Sequence, residues 1–378
     1  MTMQLKLLMV VVCGWSICFE PLNVYSDETQ TQKRSPKSKS MFDEWDRNKD
    51  GFLSPQELPS TIPRSVFGRV DRNGDGKISR QEDEMFRQRN RQRRGQPERS
   101  GNQIPKGVVV KRDVVYATVG ERKLHLDLYL QAQRKEPCPL IIWIHGGGWK
   151  SGTKQNPRHA LSLLKHGFAV ASVEYRLSGE AVFPAAIEDC KAAVSFLRLY
   201  ANSYGLDPQR FAAWGSSAGG HLVALLGTTN DVEVFNTHAI CRKAAPTVQA
   251  VCNWYGPTDF LRMNDFPGRI DHDAADSPES LFIGGPIQER RELVGQANPI
   301  RYVSSGDPPM LLMHGDADQL VPYNQSELLH AALVKCEVPS TLYRVKRGGH
   351  GFRGSAETPQ KLQQRVLVFL QNTLNTPR

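Results

Sequence analysis

Four short stretches in the second half of the chain carry residues that could do chemistry together. They are IHGGGW (Ile144 to Trp149), GSSAG (Gly215 to Gly219), HGDADQLVP (His314 to Pro322) and GGHGF (Gly348 to Phe352). A serine hydroxyl is a weak nucleophile until an adjacent base takes its proton, and an imidazole does this best when an acid holds its other nitrogen. Ser217 is the central residue of GSSAG; Ser216 is not. Asp318 can orient and stabilise the imidazole of His350, which takes the proton of Ser217; Asp316, two residues earlier, is the alternative acid. The triple glycine after Ile144 can turn backbone N–H groups toward a developing negative charge because no side chain obstructs them. A chain with 31 glycines can produce GxSxG by accident. A glycine-rich turn that happens to contain serines, and a tight turn at IHGGGW, are therefore the rival readings.

Context decides how the serine stretch is read. It is preceded by a short strand candidate, Phe211 to Trp214, and followed by a helical run, Ala218 to Leu226. Strand, sharp turn and helix push the serine into an exposed elbow, and glycines on either side let the backbones approach. From Lys111 onward apolar runs such as Leu140 to Ile144, Ala169 to Val173, Val248 to Trp254 and Met310 to Met313 fit strands buried on both faces. Helical stretches such as Ala185 to Tyr200 lie between them, so the rhythm implies an α/β fold, a mostly parallel sheet with helices on both faces. It opens with a predicted hairpin, VVYATVGERKLHLDLYL, turning at Gly120. HGDADQLVP follows the Met310 strand and GGHGF follows TLYRVK, at the carboxyl ends where such sheets gather their chemistry.

Together these residues resemble the α/β-hydrolase superfamily, and within it the esterases and lipases of the hormone-sensitive-lipase type and the bacterial feruloyl-esterase-like carboxylesterases. The resemblance runs from about Arg112 to the C-terminus and includes DLYL, VEYRLS, FPAAIEDCKAAVSFLR, GSSAGGHLVALL and YGPTDF beside the four stretches above. It implies a serine carboxylesterase acting through an acyl-enzyme, with Ser217 as nucleophile, His350 as general base then acid, and Asp318 as orienting acid. The oxyanion donors it implies are the backbone amides of Gly147, Gly148 and Ala218. No cofactor is needed for this chemistry. No helical cap precedes the Gly120 hairpin, which favours smaller or polysaccharide-linked esters, acetyl or feruloyl, over the substrates of a lidded lipase. His145 and His314 are read as braces of their turns, His221 as a packed helix residue and Asp259 as structural. DHDAAD, from Asp271, is read as a solvated loop within an insertion that shapes the acyl pocket.

Ahead of this body the chain repeats one grammar twice, DRNKDGFLSPQE from Asp46 and DRNGDGKISRQE from Asp71. Calcium takes oxygen ligands, and a twelve-residue loop supplies them at positions one, three, five, nine and twelve, with a backbone carbonyl at seven and glycine at six. The first set is Asp46, Asn48, Asp50, Phe52, Ser54 and Glu57; the second is Asp71, Asn73, Asp75, Lys77, Ser79 and Glu82. Leu53 and Ile78 are expected to face each other where paired loops meet. The segment resembles a paired EF-hand domain. Only thirteen residues separate the loops, and Pro59 and Pro63 among them interrupt a long exit helix, so the calcium is read as structural rather than sensory.

The N-terminus, MTMQLKLLMVVVCGWSICFEPLNVYS, has one lysine, an apolar run and small residues further on, the pattern of a secretory signal cleaved after Ser26. Secretion or a periplasmic location without a membrane anchor after cleavage is therefore expected. The predicted organisation is signal peptide 1–26, EF-hand pair 35–94, linker 95–110 and hydrolase domain 111–378. The net charge of +9 draws on Arg87, Arg89, Arg91, Arg93, Arg94 and Arg99, crowded into one polar run. With no interleaved aromatics, that run reads as a solvated helix end and excludes a nucleic-acid partner. Five cysteines remain after residue 26, without metal-ligand spacing, and Cys241 and Cys252 could pair. Two rivals accompany the esterase reading: a prolyl-oligopeptidase-type peptidase, for whose propeller the chain lacks room, and a non-catalytic calcium-dependent surface protein, which would be expected to show a damaged triad.

Overall fold

The computed structural model describes residues 41–59, 67, 70–71, 75–95, 104–133, 136–155, 157–266 and 268–374. The predicted signal segment 1–26, Pro63, Asn73 and Arg99 lie outside the described residues. Among those described, no helix is long and apolar enough to cross a membrane. Contacts divide the chain into two units, 1–97 and 98–378.

In the first unit, strands β1 (Phe52–Leu53) and β2 (Ile78–Ser79) pair antiparallel with Leu53 opposite Ile78. The eighth residue of each loop thus meets its counterpart, because both are apolar and have little else to bury against. Phe42, Leu53, Phe67, Val70 and Ile78 form the small core, with Trp45, Leu58 and Phe86 packed on it. The helix Arg80–Gly95 follows. Its Arg87 pairs with Asp83 one turn earlier at 2.6 Å, a half-buried pair.

The second unit is built on an eight-stranded sheet. Its strands are β3 (Val108–Val119), β4 (Arg122–Gln131), β5 (Cys138–Ile144), β6 (Ala169–Val173), β7 (Leu206–Ser216), β8 (Ala250–Trp254), β9 (Met310–Gly315) and β10 (Ser340–Val345), in the order β10-β9-β8-β7-β5-β6-β4-β3. β10, β9, β8, β7, β5 and β6 run parallel, whereas the β3–β4 hairpin, turning at Gly120, joins antiparallel at β6. Residues 108–110, assigned to the linker by composition, are the first residues of β3 instead. They stay paired with β4, and Val108 and Val110 pack on the core with Ile104.

Strand chemistry explains the placement. β5, β6 and β8 are buried along their whole length, as largely apolar runs require of a sheet covered on both faces. The period of two is still at work inside them. Leu140, Ile142 and Ile144 face a core closed by the helices Ala185–Leu199 and Ala218–Thr228, while Ile141 and Trp143 face the other, closed by the C-terminal helix Pro359–Leu374. β3, at the edge, alternates exposed and half-buried residues and breaks its register at Lys111 to Val114, features that discourage pairing with another chain. At this edge Lys154, buried, is held by Asp127 at 2.8 Å and Asp113 at 2.6 Å.

The five cysteines correct one expectation. Cys241 and Cys252 form no disulfide, because they belong to the cores on opposite sides of the sheet.

Candidate active site

The end of β7 carries Ser217, the predicted nucleophile. The strand runs to Ser216, the helix begins at Ala218, and Ser217 between them takes φ 55° and ψ −125°. A non-glycine residue held there is strained by about 1–3 kcal/mol, which the surroundings must offset. Its amide donates to the Trp254 carbonyl at 2.9 Å, and its own carbonyl accepts from the His221 amide at 3.1 Å. The flanking glycines make the turn possible. A Cβ on Gly215 would run into the Gly219 carbonyl, and one on Gly219 into the Ile144 carbonyl of β5. The sharp turn exists because three backbones pass within contact distance, and side chains at those points would hold them apart.

The predicted base and acid come from the ends of β10 and β9. His350 Nε2 accepts from Ser217 Oγ at 3.0 Å, and His350 Nδ1 donates to Asp318 Oδ2 at 2.8 Å. Asp318 Oδ1 accepts from the amides of Leu320 and Val321 at 2.8 and 3.0 Å. Burial alone would raise the Asp318 carboxyl, but hydrogen bonds from His314 and His350 hold it well below the ordinary carboxylate value. The acid therefore stays ionised and fixes the imidazole with Nε2 free to accept. Asp316, the alternative acid, is engaged elsewhere: it accepts from Arg344 Nε at 2.9 Å and from the Arg347 amide at 2.6 Å.

The other histidines are accounted for. His314 bridges Ser326 Oγ at 2.8 Å and the Val321 carbonyl at 2.9 Å, so it braces the turn that carries Asp318. His145 contacts the Gly146 carbonyl at 2.8 Å, stacks on Tyr175 at 4.4 Å, and is pushed down by burial. His221 donates to the Ala297 carbonyl at 2.7 Å, packs against Trp149, Phe260 and Phe282, and is lowered by burial to about 4. Asp259 caps a turn by accepting from the Leu261 amide at 3.2 Å.

A cleft of about 440 Å³ opens over Ser217 and His350. Gly147, Gly148 and Ala218 line it beside the serine. Gly147 and Gly148 have φ of 119° and 59°, left-handed values that suit glycine and let a loop turn its amides inward. A larger hollow, about 640 Å³, lies between β10 and the C-terminal helix, lined by residues such as Tyr343, Arg365 and Phe369. None of the three triad residues lines it, so ester chemistry is assigned to the smaller cleft.

Sequence reasoning missed two features of this cleft. Tyr255 stands edge-on to His350, with ring centroids 4.8 Å apart. In sequence it looked like part of a structural YGPTDF turn; only its aromatic type beside a glycine hinted otherwise. The second is in DHDAAD, which is not simply a solvated loop. His272 is buried and contacts Glu279 at 3.0 Å, and Ile270, Pro278 and Glu279 form one wall of the cleft.

The N-terminal loops fit a calcium ion by donor chemistry. Among the described residues Asp46 Oδ1 is buried without a hydrogen-bond partner, an arrangement that costs free energy unless a cation or donor answers it. Asp46 Oδ2 and Asp71 Oδ2 accept from the amides of Gly51 and Gly76 at 3.1 and 3.0 Å, which winds each loop around its first ligand. Glu57 and Glu82 accept from Ser54 and Ser79 and are both buried. Among the described residues no three His, Cys, Asp or Glu side chains converge closely enough to grip an ion alone. Each loop's ligand set includes three carboxylates, Asp46, Asp50 and Glu57 in the first, which would have to draw together around an ion.

A model of the BD-FAE family matches residues 126–333, and an EF-hand model matches 39–58 and 64–82. A probable carboxylic ester hydrolase of Mycobacterium tuberculosis, LipM, is 30% identical over 57% of this chain and 49% of its own length. The chain thus spans about half the length of that curated relative. Among solved structures, a truncated carbohydrate esterase from gut microbiota is 32% identical, with a TM-score of 0.64, over 71% of this chain and 97% of that one. A thermophilic esterase from the planctomycete Thermogutta terrifontis is 26% identical, with a TM-score of 0.57, over 71% and 92%.

Proposed function

The chain belongs to the BD-FAE family of α/β-hydrolases, and we propose from that premise that it is an exported serine carboxylesterase acting on ester-decorated carbohydrate. The observation that carries the reading is the relay Ser217–His350–Asp318, with hydrogen bonds of 3.0 and 2.8 Å, at the floor of an open cleft.

The chemistry follows from the geometry. As Ser217 Oγ attacks the ester carbonyl carbon, its proton passes to His350 Nε2, and the imidazolium so formed is stabilised by ionised Asp318. The carbonyl π electrons move onto oxygen, where the amides of Gly147, Gly148 and Ala218 receive the charge. Collapse of the tetrahedral species breaks the carbon–oxygen bond to the alcohol, which leaves with the proton from His350. Water, deprotonated by the same nitrogen, then attacks the acyl-enzyme and releases the acid. No cofactor enters either half. The EF-hand ligands Asp46, Asn48, Asp50, Phe52, Ser54 and Glu57, with the second set from Asp71 to Glu82, would hold calcium that stabilises the leader.

Acetyl groups on polysaccharide are the preferred substrate, with feruloyl the alternative. Support comes from the carbohydrate esterase among the similar structures. Hydrolysis of p-nitrophenyl acetate and butyrate by the wild type and by Ser217→Ala tests the reaction. The mutant is expected to lose about 10⁴-fold or more in rate, and equal rates in both proteins would defeat the reading. Release of acetate or ferulate from xylan then separates the two substrate classes, and the N-terminal residue of the extracytoplasmic protein tests export.

A further inference from the structure

The insertion between β8 and β9 places one carboxylate in the cleft that the acyl-transfer steps do not use. Glu279 is 3% exposed, and the only hydrogen bond of its side chain among the described residues is with His272, itself 2% exposed. An ionised carboxylate only accepts, so His272 Nδ1 donates to Glu279 Oε2 at 3.0 Å. The residue lies in the wall of the same cleft as Ser217 and His350. Its neighbour Pro278 packs close to Gly148: a Cβ added to that glycine would lie 3.2 Å from the proline ring. Glu279 is therefore beside the loop that receives the oxyanion.

The insertion is also held by bonds outside this pair. Asn264 Nδ2 donates to Asp271 at 2.9 Å, the His272 amide donates to Asn264 Oδ1 at 3.1 Å, and Gln288 donates to Asp273 at 2.7 Å. Ser277 caps the following helical turn by accepting from the Ser280 amide at 3.0 Å. His272 answers Oε2 only; among the described residues Oε1 makes no hydrogen bond, so one acceptor oxygen of this cleft-lining carboxylate is left for a ligand. In a cleft over an ester, the answering group is a hydroxyl.

We infer that Glu279, oriented by His272, is a specificity-determining residue that accepts a hydrogen bond from a hydroxyl adjacent to the ester oxygen on the alcohol portion of the substrate. The inference rests on the serine-esterase reading and narrows its substrate class to esters of polyols and sugars. An acetyl group has no donor to offer, whereas a sugar ring presents hydroxyls next to the acylated one. The carboxylate also disfavours anionic alcohols by repulsion, and a plain alkyl ester has no donor to offer its free oxygen.

The test uses two esters that differ by one group, trans-2-hydroxycyclohexyl acetate and cyclohexyl acetate, with wild type and Glu279→Gln of the full chain. The wild type is expected to prefer the hydroxylated ester in kcat/KM by about 10- to 100-fold, the range of a hydrogen bond to a charged group. Glu279→Gln is expected to lose most of that preference, slowing far more on the hydroxylated ester than on its deoxy partner. Equal slowing on both would make the residue merely structural and overturn the inference, as would an undiminished preference. The wild-type ratio needs no variant, so a mutant that fails to fold leaves the decision intact: a ratio near one overturns the inference. Ser217-dependent hydrolysis of p-nitrophenyl acetate, run alongside, separates the two failures. If it is present with a ratio near one, only the role of Glu279 falls; if it is absent, the esterase reading falls and takes this role with it.

Discussion

The two units of this chain make their sites in opposite ways. In the leader, each calcium loop is twelve consecutive residues, and its contacts span short separations, such as Asp46 to Gly51 and Ser54 to Glu57. In the body, Ser217 and His350 are 133 positions apart and Asp318 comes from a third strand end. A local site can be read as a string; a distributed one exists only after a sheet has folded. Among the described residues the leader's core holds five buried side chains, against two layers of core in the body.

The largest expected effect would break the relay without disturbing that architecture. Asp318→Asn should lower kcat by about 10³- to 10⁴-fold, because the amide cannot hold His350 in the accepting tautomer. Circular dichroism should remain that of the wild type, and a loss under tenfold would remove Asp318 from its role.

Acid sharpens the contrast. Residues 1–97 contain no histidine, whereas the body buries His221 with its pKa lowered from 6.5 to about 4. The unfolded chain gains this proton as pH falls through 6.5 and the folded body only near 4, so stability is fully present above 6.5 and lost between the two values. The loss is at most about 3 kcal/mol. Urea denaturation at several pH values should show it in the body transition, and His221→Gln, which keeps a donor for Ala297, should flatten the slope.

Calcium should act on the other unit. Chelation with EGTA is expected to lower the leader's melting transition, by about 2.7 kcal/mol if the ion is present at a hundredfold excess over its Kd. Esterase rates should be unchanged, since no calcium ligand is part of the relay. An unshifted calorimetric transition would remove calcium from the leader. Asp316→Asn is the smallest change: it breaks exposed contacts to Arg344 and Arg347 and should leave kcat within about threefold, as an exposed pair is worth at most about 1 kcal/mol. A large loss would reverse the assignment of the two aspartates.

The legible part of the fold follows from patterns short enough to act locally. Ala169 to Val173 is apolar but for Ser172 and forms a buried strand with those bounds. The elbow is legible because GSSAG requires its glycines wherever it stands, and the Gly215 and Gly219 contacts bear that requirement out. Leu53 faces Ile78 because the loops repeat one grammar. Asp316 and Asp318 were not separable by type, since both are aspartates in one turn; the amides of Leu320 and Val321 and the reach to His350 separate them.

What stayed illegible was set by burial. DHDAAD reads as a polar loop, yet His272 sinks into the body because Glu279, seven residues on, answers its ring nitrogen. Cys241 and Cys252 are near neighbours in sequence, but a sheet lies between the cores that hold them. The amino-acid sequence alone determined the strand and helix rhythm, the calcium-loop grammar and the residue types of the relay, because periodicity, glycine stereochemistry and ligand spacing are local properties. Only the tertiary structure decided which aspartate meets His350 and which side chains wall the cleft, because those depend on distances between strand ends that no interval along the chain encodes.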